Sequence, residues 1–138
     1  MMQARMLAKE DEASVEDVEV RREDQEKINR FSRLHQHSAT LEEKLKQKQK
    51  DKEDLQEIVS DLEELELLDE DAKVPYKIGD SFFTLPLSEV QELVAGDVAR
   101  IDEDVAKLEE KLGACQDEMS ELKVALYGRF GRSINLET

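Results

Sequence analysis

The sequence predicts a mainly α-helical protein, a long antiparallel two-helix coiled coil with one β-hairpin at the bend. Three observations predict this class. The chain is 40 % charged and 4 % aromatic, which leaves few large apolar side chains for a compact single core. Its apolar residues nevertheless recur in alternating steps of three and four. One short β-prone run, centred on Gly79-Asp80, separates the two repeating stretches.

The repeating stretches leave two tails. Residues 1–20 are acidic and lack an apolar period, so a disordered acidic tail is expected there. The coiled-coil domain follows over residues 21–132. Residues 133–138 are expected to form a loose C-terminal tail.

The first helix is predicted over residues 22–68, since Pro75 forbids continuation soon afterwards. Lys48 and Lys52 interrupt its apolar seam. A lysine at such a position either fixes register or partner, or marks a locally loose coil, and the sequence leaves both open. The seam positions are 31, 38, 45, 52 and 59 at a, and 34, 41, 48, 55 and 62 at d.

The second helix is predicted over residues 88–130. Ser88 and Gln91 have the spacing of a capping box at its start. Because the two seams match in length and the chain turns back between them, the helices are expected to pair antiparallel. The second seam is Val94, Val98, Ile101, Val105, Leu108, Leu112, Cys115, Met119, Leu122 and Leu126.

A β-hairpin is predicted over residues 74–87, with Gly79 at the first position of a type II′ turn. This turn pairs Ile78 with Ser81. An isolated two-stranded hairpin is marginal in water. Because the two helical seams are expected to bury each other, we expect the helices to have no surface left to cover the hairpin. We therefore predict an obligate oligomer, in which hairpins from several chains share a sheet or barrel. The predicted oligomerisation residues are Val74, Tyr76, Ile78, Phe82, Phe83 and Leu85.

Three blocks of sequence resemble one family. The blocks are Glu23-Asp-Gln-Glu-Lys-Ile-Asn-Arg-Phe31, Val74-Pro-Tyr-Lys-Ile-Gly-Asp-Ser-Phe-Phe83, and Leu122-Lys-Val-Ala-Leu-Tyr-Gly-Arg-Phe-Gly131 followed by Ser133-Ile-Asn-Leu-Glu137. They are similar to the prefoldin β-type subunits, in their eukaryotic subunit-four branch. The resemblance implies a heterohexamer with other α-type and β-type subunits, whose hairpins form a central double β-barrel. It also implies that the free ends of the coiled coils hold unfolded actin and tubulin for transfer to the cytosolic chaperonin, without nucleotide.

In that geometry, the start of the first helix and the end of the second meet at a client-binding tip, about 60 Å from the hairpin for helices of this length. Ile28, Tyr127 and Phe130 lie off the seams and are the better contact candidates, whereas the other members also serve as seam residues. The predicted tip residues are Ile28, Phe31, Leu34, Leu122, Leu126, Tyr127 and Phe130.

The remaining features favour a binding protein over an enzyme. A net charge of −15 argues against nucleic-acid and anionic-lipid partners. There is no phosphate-binding glycine loop, acid/base constellation or metal-ligand spacing, so no catalytic residue, cofactor or metal is expected. The single cysteine, Cys115, fits a reducing compartment and a buried seam position. The expected location is the cytoplasm, with additional nuclear roles left open. The alternative function is a structural coiled-coil tether without chaperone activity.

Overall fold

The computed structural model describes residues 5–6, 20–131 and 134–136. Two long helices flank one antiparallel hairpin, as the sequence predicts. The rest of the predicted acidic tail, residues 1–4 and 7–19, lies outside the described residues, as do residues 132–133 and 137–138. The elements in chain order are β1 (Arg5–Met6), α1 (Arg22–Leu68), β2 (Lys73–Ile78), β3 (Ser81–Pro86), α2 (Leu87–Phe130) and β4 (Ile134–Asn135).

The helix boundaries follow from local chemistry. Helix α1 has the predicted bounds. Asp24 fixes its start, because the Oδ2 atom of Asp24 accepts a hydrogen bond from the main-chain N–H of Arg21 at 3.0 Å. This is one half of a capping box, in which a first-turn carboxylate reaches back to the residue before the helix. Helix α2 begins at Leu87, one residue earlier than predicted. Ser88 therefore lies inside the helix and cannot be the N-cap that the sequence predicts, and the Gln91 side chain donates to Glu66 at 3.0 Å.

The chain divides into two compact units. The terminal unit contains residues 1–43 and 109–138, and the hairpin unit contains residues 44–108. Each includes a segment of α1 and a segment of α2, so each has its own core.

In the terminal unit, the helix segments run antiparallel. Arg30 forms a two-point ion pair with Glu118, with Nε–Oε2 and Nη2–Oε1 distances of 2.8 and 3.1 Å. Deeper in the interface, the buried Cys115 thiol donates to the carbonyl oxygen of Leu34 at 3.2 Å. Burial raises the pKa of Cys115 above its usual value, so this thiol stays protonated and unreactive at neutral pH. It is a seam residue, as predicted.

In the hairpin unit, the two seam lysines are paired across the helices. Lys48 Nζ lies 3.3 Å from Asp104 Oδ2, and Lys52 Nζ lies 2.7 Å from Asp102 Oδ1. The four side chains are between 35 and 49 % exposed, so the pairs are solvated and contribute little net stability. Their value is geometric, because a one-step slip of the helices would separate both lysines from their carboxylates. Of the two alternatives left open by the sequence, this arrangement favours register fixing.

The described residues of the two tails are more ordered than the sequence predicts. Arg5–Met6, within the stretch expected to be disordered, pairs antiparallel with Ile134–Asn135. Ile134 and Leu136, within the stretch expected to be loose, are buried. For these residues the prediction of a loose tail is wrong, because their side chains complete the apolar core of the terminal unit.

Across the parts of the chain that the structure describes, no helix has the length and apolarity needed to cross a membrane.

Candidate functional site

The hairpin has the predicted register and turn. Ile78 pairs with Ser81, and the ladder continues through the predicted partners to Val74 and Leu85. Gly79 has φ of 61°, while Asp80 has no positive φ. This combination identifies the type II′ turn, since a type I′ turn needs positive φ at both central residues.

One part of the hairpin packs on its own helices. Val74, Tyr76 and Leu85 contact an apolar cluster formed by Leu62, Leu87, Val90 and Val94. The Tyr76 hydroxyl donates to Asp97 Oδ2 at 3.1 Å. The pKa of the phenol is raised, mainly by burial and to a lesser extent by this hydrogen bond. The prediction that the helices cannot cover the hairpin is therefore wrong for these three side chains. Positions beside the seam, such as Val90, supply the additional surface.

The other part of the hairpin stays exposed. Ile78, Phe82 and Phe83 are 53, 71 and 48 % exposed. Lys77 lies with its ammonium 5.9 Å from the centre of the Phe82 ring, a cation–π contact that leaves most of the ring uncovered. Among the described strands, β2 and β3 pair with each other and with no further strand, so each presents one unpaired edge. Ile78 and Phe83 lie on one face of the hairpin and Phe82 lies on the other. We call these three exposed side chains together the hairpin patch.

A second apolar assembly lies in the terminal unit, and it is closed. We call it the terminal cluster: Phe31, Leu126, Phe130, Ile134 and Leu136, each at most 3 % exposed. The half-buried side chains of Ile28, Met119, Leu122 and Tyr127 pack against it.

The terminal unit also contains a buried carboxylate, that of Asp24. Asp24 Oδ2 accepts a hydrogen bond from Arg129 Nε at 3.0 Å, in addition to the bond from the Arg21 main chain. Both bonds favour the ionised form, and that of the Arg21 N–H is the larger cause of the lowered Asp24 pKa. The guanidinium of Arg129 also lies 5.6 Å from the centre of the Phe130 ring. Asp24 thereby ties the start of α1 to the end of α2.

Comparison with known proteins places this architecture in a family. A family model described as "Prefoldin subunit" matches residues 25–133. The chain is 37 % identical to Prefoldin subunit 4 of Bos taurus, with 96 % of this chain and 97 % of that protein covered. It is 36 % identical to Prefoldin subunit 4 of Homo sapiens over the same shares. Prefoldin subunit 4 of Saccharomyces cerevisiae is 37 % identical, with 83 % of this chain and 87 % of that protein covered. The chain belongs to the prefoldin subunit family.

Membership in the prefoldin family gives the two surfaces a common context. The family consists of co-chaperone subunits that assemble with other prefoldin subunits. The hairpin patch is an exposed, edge-bearing surface of the kind that such assembly can cover. Within the described residues, no three His, Cys, Asp or Glu side chains meet in an arrangement that could hold a metal ion.

The predicted tip residues of this prefoldin family member all lie in one unit, and most are buried. Phe31, Leu34, Leu126 and Phe130 are buried, whereas Ile28, Leu122 and Tyr127 are half-buried. Phe130 was predicted to be an off-seam contact, but it is 1 % exposed. The C-terminal segment explains the difference, because Ile134 and Leu136 are buried in the same apolar cluster as Phe130.

Sequence reasoning missed Ile134, Leu136 and Asp24. The only sequence signal for the first two is their spacing of two residues, which is typical of one strand face but too short to be read alone. Asp24 stands at the third position of α1, where a carboxylate that reaches back over the helix start is a known pattern. Its pairing with Arg129 depends on tertiary structure and leaves no local signal.

Proposed function

We propose that this chain is a β-type subunit of a heterohexameric prefoldin, which binds unfolded actin and tubulin without nucleotide and transfers them to the cytosolic chaperonin. The hexamer contains two α-type and four β-type subunits, and the chain acts in the cytoplasm. The observation that carries the proposal is the hairpin patch, in a chain that is a prefoldin family member along most of its length.

The hairpin patch supports the assembly step. Burying a large apolar side chain stabilises an interface by about 1.5–3 kcal/mol. Three such side chains are exposed on the hairpin, Ile78 and Phe83 on one face and Phe82 on the other. The free edges of β2 and β3 add main-chain donors and acceptors that a neighbouring hairpin can satisfy. The hairpin is held in place for this contact by three side chains that pack on the helices, Val74, Tyr76 and Leu85.

The terminal unit supports the client-binding step. It concentrates large apolar side chains where the start of α1 meets the end of α2, and helix ends open more readily than helix interiors. An unfolded client offers exposed apolar segments that match such a surface. The proposed contacts are Ile28, Phe31, Leu34, Leu122, Leu126, Tyr127 and Phe130.

Two measurements on one preparation test the proposal. The chain is co-expressed with the other five prefoldin subunits, and native mass spectrometry is expected to show one copy of it in a hexamer. Light scattering is then recorded while denatured actin is diluted into the purified complex. We expect scattering to be suppressed without ATP, and a matched amount of an unrelated acidic coiled coil serves as the control.

The alternative function, a coiled-coil tether, predicts a different result. A tether enters a complex through its hairpin but leaves the aggregation of actin unchanged. A complex that assembles yet does not suppress scattering would therefore replace the chaperone proposal with the tether. A chain that remains outside any complex would contradict both.

A further inference from the structure

The terminal cluster is closed by the last described residues of the chain. Ile134 and Leu136 are 3 % and 0 % exposed, and they contact the same cluster as Phe31, Leu126 and Phe130. In this conformation the cluster offers almost no apolar surface to another molecule. The side chains best suited to hold an unfolded protein are thus already occupied by part of the same chain.

A hydrogen bond and a short strand ladder help to hold the segment. The main-chain N–H of Leu136 donates to the Tyr127 hydroxyl at 3.1 Å. Ile134–Asn135 pairs with Arg5–Met6, which is a ladder of only two residues. The chain enters the segment through Gly131, whose φ of 57° ends α2 in the left-handed conformation.

We propose that residues 134–136 form a strap, which occupies the client-binding surface of this subunit and is displaced by an extended apolar segment of the client. This inference rests on the proposed client-binding function and adds the regulation of that site. The strap and the client compete for the same side chains, so the closed form is the resting state of the terminal unit.

The chemistry of the strap defines the client segment that replaces it. Ile134 and Leu136 are two residues apart, which places both on one face of an extended chain. Their main chain uses the Tyr127 hydroxyl as an acceptor and strand β1 as a partner. A client segment in extended conformation, with large apolar side chains at alternate positions, can make the same contacts. Folded proteins bury such segments, so the strap admits unfolded chains selectively.

The strap opens at a lower cost than the helices. Its release leaves the helical turns intact, whereas exposing Phe31 by unwinding would break the turns of α1 and α2 around it. Local openings that break few contacts are the most populated ones. The apparent affinity for a client equals the intrinsic affinity multiplied by the fraction of open molecules.

The test compares complexes that differ only in this subunit. The strap variant carries Ile134→Ser and Leu136→Ser. The control carries Val124→Ser. This change removes an apolar side chain of α2 that is 75 % exposed and lies outside the terminal cluster. Binding of fluorescently labelled, denatured actin is measured by anisotropy. We expect the strap variant to bind several-fold more tightly than the wild-type complex, and the control to bind as the wild type does.

Unchanged or weaker binding by an assembled strap variant would overturn the proposal. If native mass spectrometry shows that this variant does not assemble, Ile134→Ala decides instead, since it trims one buried side chain of the strap and changes no proposed client contact. It should bind actin several-fold more tightly, because the lost burial favours the open strap, and unchanged binding would again overturn the strap.

Hydrogen exchange separates failure of the strap from failure of the proposed function. It is recorded without client, at the main-chain amide of Leu136 and at the end of α2. A wild-type complex that does not bind actin refutes the proposed function. Exchange that is equally slow in the wild-type and Tyr127→Phe complexes refutes the strap, whatever the actin result.

Discussion

The hydroxyl of Tyr127 accepts a hydrogen bond from the main-chain N–H of Leu136 at 3.1 Å. This contact joins the last turn of α2 to Leu136, which lies nine residues further along the chain and is completely buried. It provides a buried N–H group with a partner, and an unpaired buried group would cost about 1–3 kcal/mol. The Tyr127 ring packs against the terminal cluster at the same time, so one side chain supports both the core and the segment that closes it.

Replacing Tyr127 with Phe is expected to loosen the C-terminal segment without disturbing the helices. The ring and its packing remain, and the local stability falls by about 1–3 kcal/mol, the cost of leaving the buried Leu136 N–H without its partner. The measurement is hydrogen exchange at the Leu136 amide, which should become faster by about fivefold or more. An exchange rate equal to that of the wild type would show that the hydroxyl does not hold this segment.

Stability of the terminal unit should fall in acid because of Asp24. The Arg21 N–H and Arg129 hold the pKa of this carboxyl below its ordinary value of 3.8. A lowered pKa contributes stability that is complete above the unfolded pKa and disappears as the pH falls through the folded pKa. The contribution is therefore present at pH 7 and is lost below about pH 4.

Asp24→Asn separates this effect from general acid unfolding. Urea denaturation at pH 7 should show the variant to be less stable than the wild type, and the difference should shrink as the pH approaches 3. Glu23→Gln, at the neighbouring exposed position, is the control and should change little. A difference between Asp24→Asn and the wild type that stays constant with pH would contradict the assignment.

The seam lysines, Lys48 and Lys52, should set the register in which α1 pairs with α2, and should make the helix pair less stable than apolar residues would. Lys52 stands at an a position, where leucine would bury apolar surface against α2. We expect Lys52→Leu to stabilise the helix pair by about 0.5–1 kcal/mol even though the pair with Asp102 is lost, because half-exposed ion pairs contribute little. Lys46→Leu, at an exposed position on the same helix, is the matched control. The check is the midpoint of thermal unfolding, and a lower midpoint for Lys52→Leu would show that the ion pair outweighs the burial.

Phe82 should be needed for assembly and dispensable for the fold of the chain. Its ring is 71 % exposed, so Phe82→Asp removes little packing within the subunit. In an intersubunit interface, the same change would place an unpaired charge in an apolar contact. Native mass spectrometry should show the variant excluded from the hexamer, while circular dichroism should show unchanged helix content. Val124→Asp is the control, and incorporation of both variants would remove the hairpin patch from the interface.

The sequence predicts most of this fold because its strongest signals are local or periodic. The bounds of α1 follow from a heptad repeat that keeps its register past Lys48 and Lys52, and from Pro75. The hairpin register follows from the conformation that Gly79 allows. The cover that the helices give the hairpin was missed, since heptad reasoning counts seam positions and ignores flanking ones such as Val90. The closed terminal cluster was missed because two residues of period two, Ile134 and Leu136, carry too little signal. Their burial is decided by tertiary contacts with Phe31 and Phe130.

Two glycines provide a paired test of backbone conformation. Apart from its chain neighbours and the backbone of its own helix, a Cβ at Gly79 or at Gly113 would meet no atom within 4 Å, so crowding is absent at both positions. They differ in backbone conformation, because Gly79 has φ of 61° at the hairpin turn and Gly113 lies inside α2. Gly79→Ala is expected to destabilise the hairpin by about 1–2 kcal/mol, the cost of a left-handed conformation for an L-residue. Gly113→Ala is expected to stabilise the helix by about 1 kcal/mol.

Urea denaturation of the assembled complex measures both glycine variants. The midpoint should fall for Gly79→Ala and rise for Gly113→Ala, and the slope should stay the same, since neither change alters the surface exposed on unfolding. Opposite shifts from one added methyl group isolate the backbone as the cause, because neither methyl meets a neighbour. If the two midpoints moved in the same direction, the type II′ turn at Gly79 would not be what sets the hairpin register.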